Sequence, residues 1–348
     1  MNTLVILLDG AADEKIPELN GRTPLEALDK RFIDGIATTG DFGTTDGRGY
    51  THLFLLELFT GKPLQTPRGL VEAVGLGVPV EEHQAAYRFS PVRMSGGKME
   101  WVYRVSREMD RDLQEAMVRN LDVLGDLNPK LYFYEDGRGV MTVDSDHVQE
   151  FPSPPAPVDG SGVDMGEFEK FITRTAKDLD GLTVLPWGGG TLNEADRPKP
   201  VPSAKDMVII SKSPSALGVA GVLNMRRRVV DNMWSGFQEA FRLLKTSDVF
   251  MHVEETDDIS HRLAPDQKVS LLKEVDDLLM ENFDRMVGSR VAFVVDHGTS
   301  SLSGQHLRMK VPYAAGEVGR TSSRSVRFCE QADRHRPLST LMEFILDH

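Results

Sequence analysis

Leu4-Val5-Ile6-Leu7-Leu8-Asp9-Gly10 sets five consecutive aliphatic residues against an acid. A strand that is apolar on both faces belongs inside a sheet covered on both sides, and Asp9 then falls at its carboxyl end, where open α/β sheets place their ligands. The arrangement recurs at Val291-Ala292-Phe293-Val294-Val295, which stops at Asp296-His297. A third apolar run, Val249-Phe250-Met251-His252-Val253, is followed by Asp257 and His261, four residues apart, a spacing that one helical turn or a compact loop can converge on one ion. His306 lies within loop reach of His297. Alone, an Asp-Gly after a strand is most often a turn, and an Asp-x-x-x-His usually points into solvent. Their joint placement at three strand ends makes them read as a split two-metal site suited to phosphoryl or sulfuryl transfer. Carboxylates and imidazoles without thiolates favour Mn²⁺ or Zn²⁺ over a sulfur-ligated structural zinc.

Around these strands the chain has a doubly wound α/β rhythm. Thr23 can cap a helix with Pro24 in its first turn, and Gly49 to Phe59 reads as a helix ended by Thr60-Gly61-Lys62-Pro63. From Glu81 the texture changes. Tyr87-Arg88-Phe89, Met99 to Val105 and Gly139 to Val143 read as half-buried strands with helices between them. Phe151 to Pro157 is too proline-rich for a central element and reads as a rigid loop. Leu182 to Trp187 is expected to return toward the core, with Gly188-Gly189-Gly190 serving as hinge or tight turn. The rhythm resumes at Met207-Val208-Ile209-Ile210. The expected division is a core of residues 1–80 and 190–348 with an inserted α+β domain at 81–189.

Composition fits two domains, since 348 residues with 40% hydrophobic content exceed what one core usually absorbs. The formal charge of -13, with Arg226-Arg227-Arg228 the one basic run, argues against nucleic acid as a partner. Cys329 is the sole cysteine, so no internal disulfide forms. Neither a leader-like start nor a bilayer-length apolar run is visible, and a cytoplasmic protein without a membrane partner is expected. The sequence has no G-x-S-x-G elbow, no G-x-x-x-x-G-K-[ST] loop and no dinucleotide turn after the first strand. His83, His147 and His335 are expected in solvent, His252 in the core close to the ligands, and His52 near the site.

Val5 to Gly10, Pro17 to Ala27, Thr66-Pro67-Arg68-Gly69-Leu70-Val71-Glu72-Ala73, His252 to His261 and Val295-Asp296-His297-Gly298-Thr299 together resemble the archaeal-type, cofactor-independent phosphoglycerate mutases of the alkaline phosphatase superfamily. The resemblance implies a three-layer α/β/α core of alkaline phosphatase type and two divalent ions. One would be held by Asp257, His261 and His306, the other by Asp9, Asp296 and His297 plus a nucleophilic serine. It also implies interconversion of 2- and 3-phosphoglycerate, a step of glycolysis, with a small phosphorylated or carboxylated metabolite as ligand. Arg68, which matches the motif, and Arg88 and Arg104 are the arginines expected to bind it, because guanidinium grips phosphate or carboxylate in a two-pronged way. Arg107 and Arg138 are weaker candidates.

The serine is where the chain departs. The family pattern Gly-Ser-Asp-Thr-Ala-His-Leu falls on Gly47-Arg48-Gly49-Tyr50-Thr51-His52-Leu53, which sets Arg48 in the nucleophile's place. A guanidinium neither attacks phosphorus nor ligates a cation. Thr44, Thr45 and Thr51 are the neighbouring hydroxyls that could substitute, and Arg48 and Thr51 are carried forward as candidate catalytic positions. Leu217 stands where the family carries a lysine, with Lys212 near in sequence. From this follow three expectations: a weaker second ion site, reduced mutase turnover, and Arg48 as a phosphate anchor at the pocket mouth. Alternatives are another phosphoryl-transfer enzyme, a phosphatase or a small-molecule kinase such as the homoserine kinases, or a non-catalytic phosphate- or metal-binding homologue.

Overall fold

The strand Thr3–Leu8, buried at all six positions, occupies the centre of a seven-stranded sheet ordered Asp41–Asp46, Lys310–Glu317, Arg290–Val294, Thr3–Leu8, Val249–Val253, Val208–Ser211, Arg226–Val229. It pairs in parallel on both sides, with Ile6 opposite Met251 on one neighbour and opposite Phe293 on the other. Lys310–Glu317 runs antiparallel to its neighbours. The computed structural model describes residues 1–96, 98–103, 105–145, 147–153, 163–191, 198–323 and 325–347. These form two units, Met1–Gln65 with Pro198–His348, and Thr66–Arg197.

Successive side chains of a strand point to opposite faces, and Val249–Val253 shows what covers each face. The Phe250 ring lies 5.1 Å from Phe59 in the helix Thr51–Thr60. Met251 points the other way, onto Gly236 of the helix Met233–Leu243, where an added Cβ would come within 2.4 Å of its Cε. Phe293 shares the register of Met251 and meets Phe32 of the helix Arg31–Thr39, with ring centroids 6.2 Å apart. The result is the expected three-layer α/β/α core. Local signals hold as well, since Thr23 and Glu26 close a capping box on Pro24–Ala27 with Pro24 in the first turn.

The second unit is α+β. The strand Gln84–Ser95 pairs antiparallel with Gly139–Asp144, Lys98–Trp101 and Leu182–Thr191, and Lys130–Phe133 extends the sheet beyond Gly139–Asp144. The helices Arg107–Arg119 and Glu169–Asp178 bring Leu113, Met117, Phe171 and Ile172 onto its apolar side chains, among them Phe89, Met141 and Leu185.

The unit borders lie at 65/66 and 197/198, not at 80/81 and 189/190. The helix Arg68–Leu76 packs on Gln84–Ser95 and Leu182–Thr191. Small residues allow that approach, as a Cβ on Gly69 would fall 2.5 Å from the Ala86 carbonyl oxygen and one on Gly190 2.4 Å from Pro67 Cγ. Gly188 to Gly190 therefore continue a strand of the second unit at a register shift facing Ala86 to Arg88, in place of a hinge back to the core. The strand at Met99 stops at Trp101, and of the proline-rich stretch Pro154 to Pro157 lie outside the described residues.

Phe293 is fully buried against Phe32 and Phe328. Phe293→Ala is expected to destabilise the first unit by about 3–5 kcal/mol, read as a lower unfolding midpoint in guanidinium at unchanged slope.

Candidate metal centre

The three neighbouring parallel strands deliver their polar ends to one place. Asp9 follows Thr3–Leu8, and its N–H bonds the Val253 carbonyl at 3.0 Å. Asp296 and His297 follow Arg290–Val294, and the helix Glu255–His261 starts just beyond Val249–Val253, carrying both Asp257 and His261. His306 sits on a short strand that pairs Thr299 with His306. Among the described residues, two groups bring one ligand atom from each member within 4.8 Å of the others: Asp257, His261 and His306, and Asp9, Asp296 and His297. These are the two sets expected from the sequence.

Their chemistry fits cations. His261 Nδ1 meets the Gly304 carbonyl at 2.6 Å and His306 Nδ1 the Gly49 carbonyl at 2.7 Å. A carbonyl only accepts, so each Nδ1 carries a hydrogen, and either ring in its neutral form directs a lone pair from Nε2. These two Nε2 atoms lie 3.3 Å apart, a separation that calls for a proton or a metal ion between them. In the other group Asp296 Oδ2 and His297 Nε2 are buried without a well-aligned hydrogen bond, although Nε2 lies 3.3 Å from Asp296 Oδ2 and 3.2 Å from Asp9 Oδ1. Burial, and then the Asp9 charge, push the Asp296 carboxyl up to about 7. Burial opposes protonation of His297, but the Asp296, Asp9 and Asp257 carboxylates together outweigh it and lift the imidazole to about 10. Burial and the His297 charge push His306 down to about 4. Closely set carboxylates that borrow protons from one another in this way are suited to a dication.

Supporting contacts fix the ligands. His252 bridges Asp9 Oδ2 at 2.8 Å and Ser211 Oγ at 2.9 Å, which realises its expected place beside the ligands. Burial alone would raise the Asp9 carboxyl, but His252 and His297 hold it below the ordinary range. Asp296 Oδ1 accepts the N–H groups of Gly10 and His297. The sequence reading assigned no role to Thr299, whose hydroxyl donates to Asp257 Oδ1 at 2.6 Å and lies 3.0 Å from His297 Nδ1, tying the two groups together. Ser211 was missed also. Neither carries a local signal, since a threonine after Asp-His-Gly and a serine at a strand end are commonplace.

Arg48 differs from expectation. Its backbone N–H does reach the site, donating to the Asp296 carbonyl at 2.8 Å. The guanidinium instead pairs with the buried Glu57, Nη2 to Oε2 at 2.6 Å and Nε to the same oxygen at 2.7 Å, so its charge is spent on that carboxylate and not held out for an anion. Of the three hydroxyls, Thr51 is the one in contact with a ligand. It is the first residue of the helix Thr51–Thr60, and its Oγ1 lies 3.3 Å from each Asp9 oxygen. Thr44 Oγ1 bonds the Arg334 carbonyl, and Thr45 Oγ1 is buried without a hydrogen-bond partner. Leu217 is buried in the helix Pro214–Val222, while Lys212 extends toward Glu254, Glu255 and Asp258 at 3.8 to 3.9 Å, beside Asp257.

In the second unit Glu72 organises a buried cluster. Arg68 Nε and Arg88 Nη1 both bond its Oε1, at 2.7 and 2.6 Å, and the Tyr134 hydroxyl donates to Oε2 at 2.6 Å. Both guanidiniums lie over the Trp187 ring. Arg88 Nε is buried without a hydrogen-bond partner. Burial would raise the Glu72 carboxyl, but Arg88 and Arg68 outweigh it and hold it at about 2. Arg104 lies outside the described residues.

Residues 222–346 match the metalloenzyme superfamily. Along 94% of its length the chain is 25% identical to the 2,3-bisphosphoglycerate-independent phosphoglycerate mutase of Pyrococcus horikoshii, covering 91% of that protein. Among solved structures it superposes on a Pyrococcus horikoshii protein with a TM-score of 0.72 at 21% identity, over 99% of this chain and 97% of the other. It superposes on the cofactor-independent phosphoglycerate mutase of Thermoplasma acidophilum with a TM-score of 0.57 at 15% identity, over 99% of each chain.

Gly10 has φ +59, and an added Cβ would fall 2.5 Å from Asp257 Oδ1 and 2.6 Å from Thr299 Oγ1. Gly10→Ala should therefore weaken Mn²⁺ binding by roughly 10- to 100-fold, the usual scale for disturbing what supports the ligands, as titration calorimetry on metal-stripped protein would show. Glu72 gives a pH signature. Its folded value lies below the ordinary carboxylate value, so the stability it adds is present above about 4.5 and lost as pH falls toward about 2. Thermal melts from pH 6 to 2.5 should show that loss, and Glu72→Gln should flatten it.

Proposed function

We propose, from the chain's place among the archaeal-type cofactor-independent phosphoglycerate mutases, that it is a metal-dependent phosphoryl-transfer enzyme in which Thr51 has taken the role of the absent serine. The observation that carries this reading is the Thr51 hydroxyl, 3.3 Å from both oxygens of Asp9, at the head of a helix beside both ligand groups. Asp9, Asp296 and His297 would hold one divalent ion, Mn²⁺ or Zn²⁺, and Asp257, His261 and His306 the other. Bound there, the ions lower the pKa of an attacking hydroxyl and neutralise charge on the phosphoryl group.

The chain's own groups supply the rest. Thr51 Oγ1 attacks the phosphorus of a phosphomonoester, its proton passing toward Asp9, the carboxylate it already faces. The P–O ester bond breaks and the alcohol leaves with a proton from solvent. The N-terminus of Thr51–Thr60 favours the anionic phosphoryl group with the partial positive charge of its first turn. His252 keeps Asp9 oriented through the attack. Return of the phosphoryl group to a different hydroxyl of the same molecule is mutase turnover, and its loss to water is phosphatase turnover. The guanidiniums of Arg68 and Arg88, gathered on Glu72, are the groups proposed to bind the carboxylate or phosphate of a small metabolite, with phosphoglycerate the first to test.

A threonine oxygen is more crowded than a serine oxygen, so mutase turnover should be slow. With Mn²⁺ supplied, labelled 3-phosphoglycerate and a panel of phosphomonoesters should place label on Thr51. Thr51→Val should lower turnover on the order of 10³-fold or more, the scale of losing a nucleophile, and Thr51→Ser should preserve or raise it. Full turnover in Thr51→Val, or label on Thr44 or Thr45, would refute this assignment.

A further inference from the structure

Lys268, in the helix Pro265–Glu281, is fully buried and is not a ligand in either group. Its ammonium donates to the carbonyl oxygens of Gly10 at 2.9 Å, Ala12 at 3.3 Å and Thr299 at 3.1 Å, and pairs with Asp13 Oδ2 at 2.9 Å. Gly10 and Ala12 belong to the loop leaving Asp9, and Thr299 to the loop leaving Asp296 and His297. The two loops are also joined directly, Thr299 N–H to the Ala12 carbonyl at 2.9 Å and Ser301 N–H to Asp13 at 3.2 Å. The Thr299 hydroxyl then reaches Asp257 in the other group. One buried cation thus gathers the backbone beside all three ligand carboxylates while touching none of them.

Burying an ammonium is costly, and an apolar side chain of the same volume would often stabilise a core as well or better. What the ammonium does that an apolar side chain cannot is attract three carbonyl oxygens from two separate loops to one point. Lys30 gives a comparison within the same molecule. It too is fully buried, but its ammonium bonds the Leu25 and Leu28 carbonyls of a single local segment.

We infer that Lys268 is a positioning residue for metal capture, an internal cation that holds the Asp9 and Asp296 loops at the separation two divalent ions require. The inference rests on the two groups binding metal, and its test separates the two ideas. Mn²⁺ affinity of metal-stripped protein is measured by calorimetry well below the unfolding midpoint of each variant, so that lost stability does not enter the reading. Lys268→Met should bind Mn²⁺ at least tenfold more weakly than the unaltered chain, whereas Lys30→Met should bind it normally whatever happens to its melting temperature. Should Lys268→Met not fold, Asp13→Asn, which removes the ammonium's charged partner, should weaken binding in the same direction. A Lys268→Met affinity within twofold of the unaltered chain, or normal affinity in Asp13→Asn where that variant stands in, overturns the inference while leaving the metal reading intact. An unaltered chain that takes up no Mn²⁺ overturns both.

Discussion

Parallel strands lie roughly 4.8 Å apart, and this chain ends two adjacent ones in carboxylates, Asp9 and Asp296, and follows the third with Asp257. Repulsion among these buried acids is the constraint around which the first unit is organised. Two backbone N–H groups converge on one oxygen of Asp296, His252 and His297 restrain Asp9, and the Thr299 hydroxyl is committed to Asp257. The protein alone leaves the account unbalanced, as the upward shift of Asp296 to about 7 shows. Asp296, the acid whose charge is least compensated, is the one that a divalent cation beside it would most relieve.

The region of the missing serine has been rebuilt around a different ion pair. Arg48 has a carboxylate of its own in Glu57, one turn short of the far end of the Thr51–Thr60 helix, and the pairing closes the loop over the helix it precedes. An unpaired guanidinium there would repel a dication; a paired one does so far less. The substitution is thus compatible with both ion sites filling, and on the proposed reading it moves the reacting oxygen three residues along the chain.

What could be read directly from the sequence was whatever depends on periodicity and strand ends. Leu4 to Leu8 announced a doubly covered parallel strand, and the acids and histidines after three such runs pointed to a two-metal site, whose division into two ligand groups came from the family resemblance. Contacts made by long side chains left no such trace. That Arg48 would pair with Glu57, or Thr299 with Asp257, depends on backbone geometry that no spacing rule encodes. Gly188 to Gly190 misled for a related reason. Glycine marks close approach as readily as bending, and only the helix Arg68–Leu76 lying against that strand distinguishes the two. The same packing moved the border of the second unit to residue 66.

Thr3–Leu8 pairs with the strands that begin at residues 249 and 290, so the centre of the sheet joins segments far apart in the chain. On the ribosome, this strand must wait for those later partners with an apolar, unpaired edge, which is the kind of segment that aggregates or recruits chaperones. The Thr66–Arg197 unit is one continuous stretch, so its internal contacts can begin to form before residues 249 and 290 are made. Its early compaction would shorten the effective loop between the two halves of the sheet and lower the entropic cost of bringing them together. On the proposed reading, metal capture by the Asp9 group must wait for its partner strand, because no pair of ligands from that group exists until residue 296 has been made.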